Sequence, residues 1–342
     1  MTVEGIKELV KGSDYDFLRN DPRIKDSIIL LCLGGSHAYG TSNENSDVDV
    51  RGIALNNRQE ILLGNDFGQV VDTPTDTTVY SLKKIISLLA NCNPNTIEEL
   101  GCREDHYLVL TDVGKELIKN RKMFLSKRAI NSFGGYSNQQ LYKLRQKASH
   151  SMEQSELEKH ILRTLEGQMI TFPEKYATCS DDALKLYIGE SDREEMETEI
   201  FMDINLTHYP LRDYASLWSE LQNTVKSYNK LGKRNQHALE HGKIAKHMTH
   251  LIRLDLMCLD ILEREEIVTY REAEHDMLME IRNGKYVTED NQVKPEFFEI
   301  VNDYEKRLEY AKKNTSLPDQ PDMKRINEFV MDVNERIVKG KI

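Results

Sequence analysis

Apolar and polar positions divide this chain into two stretches of different rhythm. Ile28-Ile29-Leu30-Leu31-Cys32-Leu33 is an uninterrupted apolar run of strand length, and it leads into the glycine-rich turn Gly34-Gly35-Ser36-His37-Ala38-Tyr39-Gly40. A polar loop at 41–46 follows. From Asp47 to Leu55 polar and apolar positions alternate, which predicts a half-buried strand with Asp47, Asp49 and Arg51 on one face and Val48 and Val50 on the other. A short strand at Val70-Val71 runs through Pro74 to Asp76. Beyond it Val79, Leu82, Ile85, Ile86 and Leu89 recur at helical spacing, until Pro94 blocks continuation.

From about residue 112 the rhythm is helical. Leu157, Ile161, Leu165 and Met169 form one stripe. Ile244, Met248, Leu251, Ile252, Leu256, Leu259 and Leu262 form a longer one, and Ile326, Val330, Val333 and Ile337 a third. The acidic stretch 181–199 reads as a surface loop or a solvated helix. The expected fold class is α+β. A small mixed β-sheet domain with helices spans residues 1–110, and a larger, mainly helical domain spans 111–342.

Composition narrows the class. The 342 residues carry 46 Lys plus Arg against 57 Asp plus Glu, a formal charge of −11, which argues against general coating of polyanions. The longest apolar run is far too short to span a bilayer, and the N-terminal residues lack a signal-peptide core, so no membrane association is expected. Five scattered cysteines form no close pair, which fits reduced thiols in a cytoplasm and offers no cysteine-based zinc site.

The candidate chemistry lies between Gly34 and Gly52. A glycine-rich turn leaving a strand lets backbone N–H groups approach phosphate oxygens, and the Ser36 hydroxyl adds a donor. Two carboxylates two residues apart on the next strand can share hard divalent cations, which favour oxygen ligands from carboxylates and substrate phosphates. Two such ions roughly 3.5–4 Å apart steady both the attacking and the leaving oxygen in phosphoryl or nucleotidyl transfer. Arg51, on the same face, suits either a triphosphate oxygen or neutralisation of the carboxylates.

Gly35-Ser36, ten residues, then Asp47-x-Asp49 resembles the signature of the DNA polymerase beta superfamily of nucleotidyltransferases. The longer string through Gly52 is similar to a bacterial and phage family of nucleotidyltransferases, some associated with RNA ligases in RNA repair. So are Asp76 to Lys84, Asn93 to Leu100, Phe133-Gly134-Gly135-Tyr136 and the helix Lys243 to Leu262. The resemblance implies a Mg²⁺- or Mn²⁺-dependent transfer of an NMP from an NTP, ATP foremost, to an acceptor hydroxyl, with pyrophosphate released. It implies Asp47, Asp49 and Asp76 as catalytic metal ligands, Asp72 competing with Asp76, and Gly35 and Ser36 on the phosphates. An RNA or tRNA 3′ end is the acceptor it favours. A protein-nucleotidylating, antitoxin-like enzyme and a non-catalytic nucleotide-binding regulator are the alternatives.

A second feature is the basic helix 243–253. Lys243, His247 and His250 share one face, with Lys246 and Arg253 beside it. Such a face suits a triphosphate clamp on a helical domain closing over the nucleotide, with Lys243 the preferred ligand; a solvated helix edge is the other reading. Charge is segregated along the chain. Residues 115–147 carry nine basic residues and one acid, and 226–254 carry seven and one, whereas 153–203 carry fourteen acids and five bases. The acidic total thus leaves room for a focused anionic partner.

Overall fold

In the computed structural model of the protein, the apolar run at 28–33 becomes strand β1 (Ile28–Leu33), flanked on both sides by antiparallel neighbours, β2 (Val50–Ala54) and β5 (Tyr107–Leu110). Strand β4 (Thr77–Ser81) runs parallel to β2, and β3 (Gln69–Asp72) runs antiparallel to β4, giving the mixed five-stranded order β3-β4-β2-β1-β5. The structure describes residues 1–44, 46–148, 162, 184–190, 198–219, 221–223, 243–289 and 293–342. The fold is α+β.

Two units divide the chain. The first comprises Met1–Leu141, Ala245–Tyr286 and Pro295–Ile342; the second comprises Tyr142–Ile244 and Val287–Lys294. The principal helices are α1 (Val3–Val10), α2 (Gly35–Tyr39), α3 (Leu82–Ala90), α4 (Asp112–Lys119), α5 (Arg128–Ala148), α6 (Lys243–Leu259), α7 (His275–Arg282), α8 (Pro295–Asn314) and α9 (Met323–Val338). In the first unit Leu30, Leu31, Cys32 and Leu33 of β1 share a core with Leu82, Ile85 and Leu89 of α3, Leu117 of α4, Leu254 and Met257 of α6, and Ile326 and Val333 of α9. A strand enclosed this completely needs apolar residues at every position, which is why β1 lacks alternation. Burial of so much apolar surface is the main force holding α6 and α9, remote in sequence, onto the sheet.

Three local expectations are corrected. The helix expected from Val79 begins at Leu82. Residues 77–81 form β4, with Thr77, Val79 and Ser81 buried on alternate positions and the Ser81 hydroxyl capping α3 by accepting from Lys84 N at 3.1 Å. The glycine-rich turn is itself a short helix, α2, closed by Gly40 at φ +74°. The acidic stretch 181–199 overlaps a hairpin, β6 (Leu184–Glu190) paired antiparallel with β7 (Thr198–Ile204), in the second unit. Leu184, Leu186 and Ile188 alternate there with Lys185, Tyr187 and Gly189, and Tyr187 stacks on Phe201 with ring centroids 5.9 Å apart.

The stripe Leu157 to Met169 lies outside the described residues. The stripe from Ile244 forms α6 and continues into one π-helical turn at 260–264. The C-terminal stripe forms α9. Among the described residues no helix is long and apolar enough to cross a membrane.

Candidate active site

Strand register assembles the site. Leu33 pairs with Val50, and Val50 pairs with Thr77 on the parallel strand, so the residues immediately before the two parallel strands, Asp49 and Asp76, stand side by side. The end of β1 meets them there: the Gly34 N–H donates to the Asp49 carbonyl at 2.8 Å, and the Val50 N–H donates to the Asp76 carbonyl at 3.3 Å. Asp47 and Asp49 therefore lie in the extended segment entering β2, and the strand itself starts at Val50.

Gly35 is dictated by this convergence. Its φ is +53°, and a Cβ built on it would lie 1.7 Å from Asp49 Oδ2. Only a residue without a side chain admits the carboxylate, and only glycine takes that backbone conformation without strain. Helix α2 starts at this residue with no side-chain cap, which leaves first-turn N–H groups without helical partners beside the Asp49 carboxylate. Ser36 is buried in that turn.

Arg51 spans the carboxylates. Its Nη2 lies 3.6 Å from Asp49 Oδ1 and 3.2 Å from Asp76 Oδ1, while Nη1 donates to the Asp76 and Val50 carbonyls. Burial pushes the Asp49 carboxyl up to about 7, and its hydrogen bond with Asp76 adds to the rise. Asp76, receiving that hydrogen bond and facing Arg51, is held below the usual carboxylate range. The two adjacent carboxylates are thus shifted in opposite directions, Asp49 up and Asp76 down. Asp76 sits at φ +43°, a left-handed conformation that asparagine and aspartate tolerate better than most side chains. Asp72, the competing carboxylate, is engaged elsewhere: its Oδ2 accepts from Thr75 N at 3.1 Å and Thr75 Oγ1 at 2.7 Å, tying the β3–β4 turn.

The donor set suits a hard divalent cation. Asp49 and Asp76 present adjacent carboxylate oxygens, and Mg²⁺ commonly takes one or two carboxylates plus substrate phosphates. Asp47 is exposed. Among the described residues no three His, Cys, Asp or Glu side chains gather closely enough to ligate a metal together.

Cations approach from α6 and α7. The charge of exposed Lys246 reaches both Asp49 and Asp76, lowering each. Lys243, the expected phosphate ligand, opens α6, but its side chain lies outside the described residues. Arg253, also on α6, is 8% exposed and rests 3.4 Å above the Tyr39 ring, with its Nε unpartnered among the described residues. The Tyr39 hydroxyl donates to Glu98 Oε2 at 2.8 Å, which fastens α2 to the segment after α3. Arg282 of α7 donates to Ser46 Oγ at 3.4 Å; burial and the nearby Arg253 lower its pKa while Asp47 raises it.

Glu99 is 1% exposed with both carboxylate oxygens unpartnered among the described residues, and burial beside Glu98 pushes it well above the usual range. Sequence reasoning missed the roles of Glu98, Glu99 and Arg282. Glu98 was visible only as part of a turn, and Arg282 lies in a segment with no recognisable motif.

Residues 13–167 match the family model of RlaP, an RNA repair pathway DNA polymerase beta family, which bears out the resemblance drawn from the motifs. An uncharacterized 38.9 kDa protein in the nrdC-mobD intergenic region of Enterobacteria phage T4 is 26% identical over 284 residues, covering 74% of this chain and 81% of that protein. No solved structure matches the chain. The family match supports nucleotidyl-transfer chemistry and a nucleotide substrate.

Proposed function

We propose that this protein is a nucleotidyltransferase that moves an NMP from an NTP, ATP foremost, to an acceptor hydroxyl. The observation that carries the reading is the Asp49–Asp76 pair, set edge to edge by the β2–β4 register and packed on Gly35. Clustered carboxylates repel one another, and a site that binds phosphates and cations is where that cost has a use.

In this reading the first turn of α2, with Gly35 and Ser36, meets the nucleotide phosphates, joined by Lys246 and by Lys243. Arg51 neutralises charge between the carboxylates. Asp49 and Asp76 would hold Mg²⁺ or Mn²⁺, with exposed Asp47 the further carboxylate that the resemblance implies; the ion when bound supplies charge neutralisation on the phosphates and the attacking oxygen. Asp76, held ionised, takes the proton from the acceptor hydroxyl. The acceptor oxygen forms a bond to the α-phosphorus, the bond from that phosphorus to the bridging oxygen breaks, and pyrophosphate leaves with the electron pair. Positioning and charge supply most of the acceleration.

Family association speaks for an RNA or tRNA 3′ end as acceptor. The reading is tested by incubating the full chain with each labelled NTP and Mg²⁺ or Mn²⁺, with and without RNA, and following pyrophosphate. Release that depends on the divalent ion supports it. Nucleotide binding without release under any of these conditions supports a regulatory protein instead.

A further inference from the structure

Helix α2 is 5 residues long, too short to hold its own direction, so the groups that grip it decide where its first turn points. Its last residue, Tyr39, is 2% exposed and held by several elements at once. The hydroxyl donates to Glu98 Oε2 at 2.8 Å and lies 3.8 Å from Met257 Sδ of α6. The carbonyl accepts from the Arg271 N–H at 3.2 Å. The ring carries the Arg253 guanidinium 3.4 Å above its face. Beside it the Tyr270 ring fills the space next to Gly40, where a Cβ would lie 2.5 Å from the nearest ring carbon.

Arg253 stands at a particular point of α6. The core that this helix shares with the sheet takes in Leu254, Met257, Cys258 and Leu259, but none of Ala245, Met248, Leu251 and Ile252, although all of these are buried. Arg253 therefore marks where the helix parts from the sheet core. Lys246 lies two turns towards the N-terminus on the same face, roughly 10 Å along the axis. The Arg253 Nε has no hydrogen-bond partner among the described residues, which leaves the Tyr39 ring as the principal group holding the guanidinium. A buried charge is costly, and an apolar side chain would cover the ring at less cost. The Glu98 carboxylate, accepting from the Tyr39 hydroxyl, enriches the ring in electron density and so strengthens its hold on the cation.

We propose that Arg253 is a positioning residue: stacked on Tyr39, it sets the N-terminal half of α6 against α2, so that Lys246 and the first turn of α2 close on the same nucleotide phosphates. The proposal rests on the nucleotidyl-transfer reading. The two helices face each other at two places. At one, Gly35 packs on the Asp49 carboxylate, which the charge of Lys246 also reaches. At the other, Tyr39 and Arg253 form the anchor. Arg253 acts through Lys246 and does not touch the nucleotide. Without the stack, Leu254, Met257 and Leu259 still bury the second half of α6 in the core, but the half that carries Lys246 loses its aim. Charge attraction weakens with distance and with intervening water, so a lysine displaced by a few ångströms contributes little to phosphate binding.

The test is a double-mutant cycle on the full chain, read as KM for ATP in Mg²⁺-dependent pyrophosphate release by wild type, Lys246→Ala, Arg253→Met and the double variant. Arg253→Met should raise KM about threefold to tenfold, as Lys246→Ala does, with little change in kcat. Adding Lys246→Ala to Arg253→Met should raise KM by less than about twofold more, because a lysine without its aim has little left to lose; independent contacts would multiply. Tyr39→Leu, which removes the ring from the other side of the stack, should reproduce both results, and its own cycle with Lys246→Ala decides the matter if Arg253→Met does not fold. The proposal is overturned if Arg253→Met keeps the wild-type KM or if the two KM effects multiply. It is overturned equally if Arg253→Met raises KM and Tyr39→Leu does not, which would put Arg253 on the nucleotide itself. Where wild type releases no pyrophosphate from any NTP, the transferase reading falls, and the same cycle on calorimetric Kd for ATP with Mg²⁺ decides the positioning role by the same criteria. ATP that does not bind overturns both.

Discussion

Gly35 has no room for a methyl group, because the Asp49 carboxylate occupies the space a Cβ would take. Gly35→Ala must therefore push that carboxylate away while leaving the core untouched. Misplacement on the scale of 1 Å costs about a hundredfold in rate in a positioned site. The expected outcome is a drop of that order in kcat with an unchanged far-ultraviolet circular dichroism spectrum. A second residue-scale expectation concerns Asp255 of α6, which is 2% exposed, accepts from Ser137 Oγ at 2.8 Å through Oδ1 and leaves Oδ2 unpartnered among the described residues. Burial pushes it up to about 7. Because the folded value is raised, the stability linked to its proton is full below the unfolded value, near 4, and is lost as pH rises through 7. At about 1.4 kcal/mol per pKa unit, the shift amounts to at most about 4 kcal/mol. Asp255→Asn should consequently be more stable than wild type at pH 8, and the difference should vanish near pH 4, as read from urea unfolding midpoints.

At the level of elements, helix α6 carries Lys246, whose charge reaches the carboxylates, while Lys243, the ligand preferred from the sequence, opens the same helix with its side chain outside the described residues. Lys246→Ala should raise KM for NTP about threefold to tenfold, the effect of one partly exposed charge on a phosphate, with little change in kcat. Equal KM values would assign Lys246 to the solvated edge of the helix. The β1 run was legible because complete burial leaves a continuous apolar signature. Strand β4 was not, since Thr77 and Ser81 occupy its buried positions and their hydroxyls read as polar. That single misreading hid the parallel β2–β4 pairing, and with it the physical reason that Asp76 adjoins Asp49. The motif spacing pointed to Asp76; only the register supplies the cause. The β6–β7 hairpin was obscured similarly, its alternating apolar residues masked by the surrounding acids.

For the whole molecule, charge counted along the sequence differs from charge in space. The basic stretch 115–147 looked like a polyanion surface, yet Lys127 pairs with Asp319 at 2.8 Å, Lys115 with Asp112 at 3.1 Å, and Arg128 donates to Asn91 Oδ1 at 2.8 Å. Asp319, returning from the C-terminal part of the chain, neutralises one of these charges, which a linear tally cannot register. The cations that matter for the site are instead the few that α6 and α7 bring to Asp47, Asp49 and Asp76. Nucleotidyl transfer by these carboxylates can be checked by comparing pyrophosphate release from labelled NTP by wild type and by an Asp47→Asn, Asp49→Asn double variant with matched unfolding midpoints. Divalent-ion-dependent release is expected in wild type and none above background in the variant; release by the variant at the wild-type rate would rule out nucleotidyl transfer at this site.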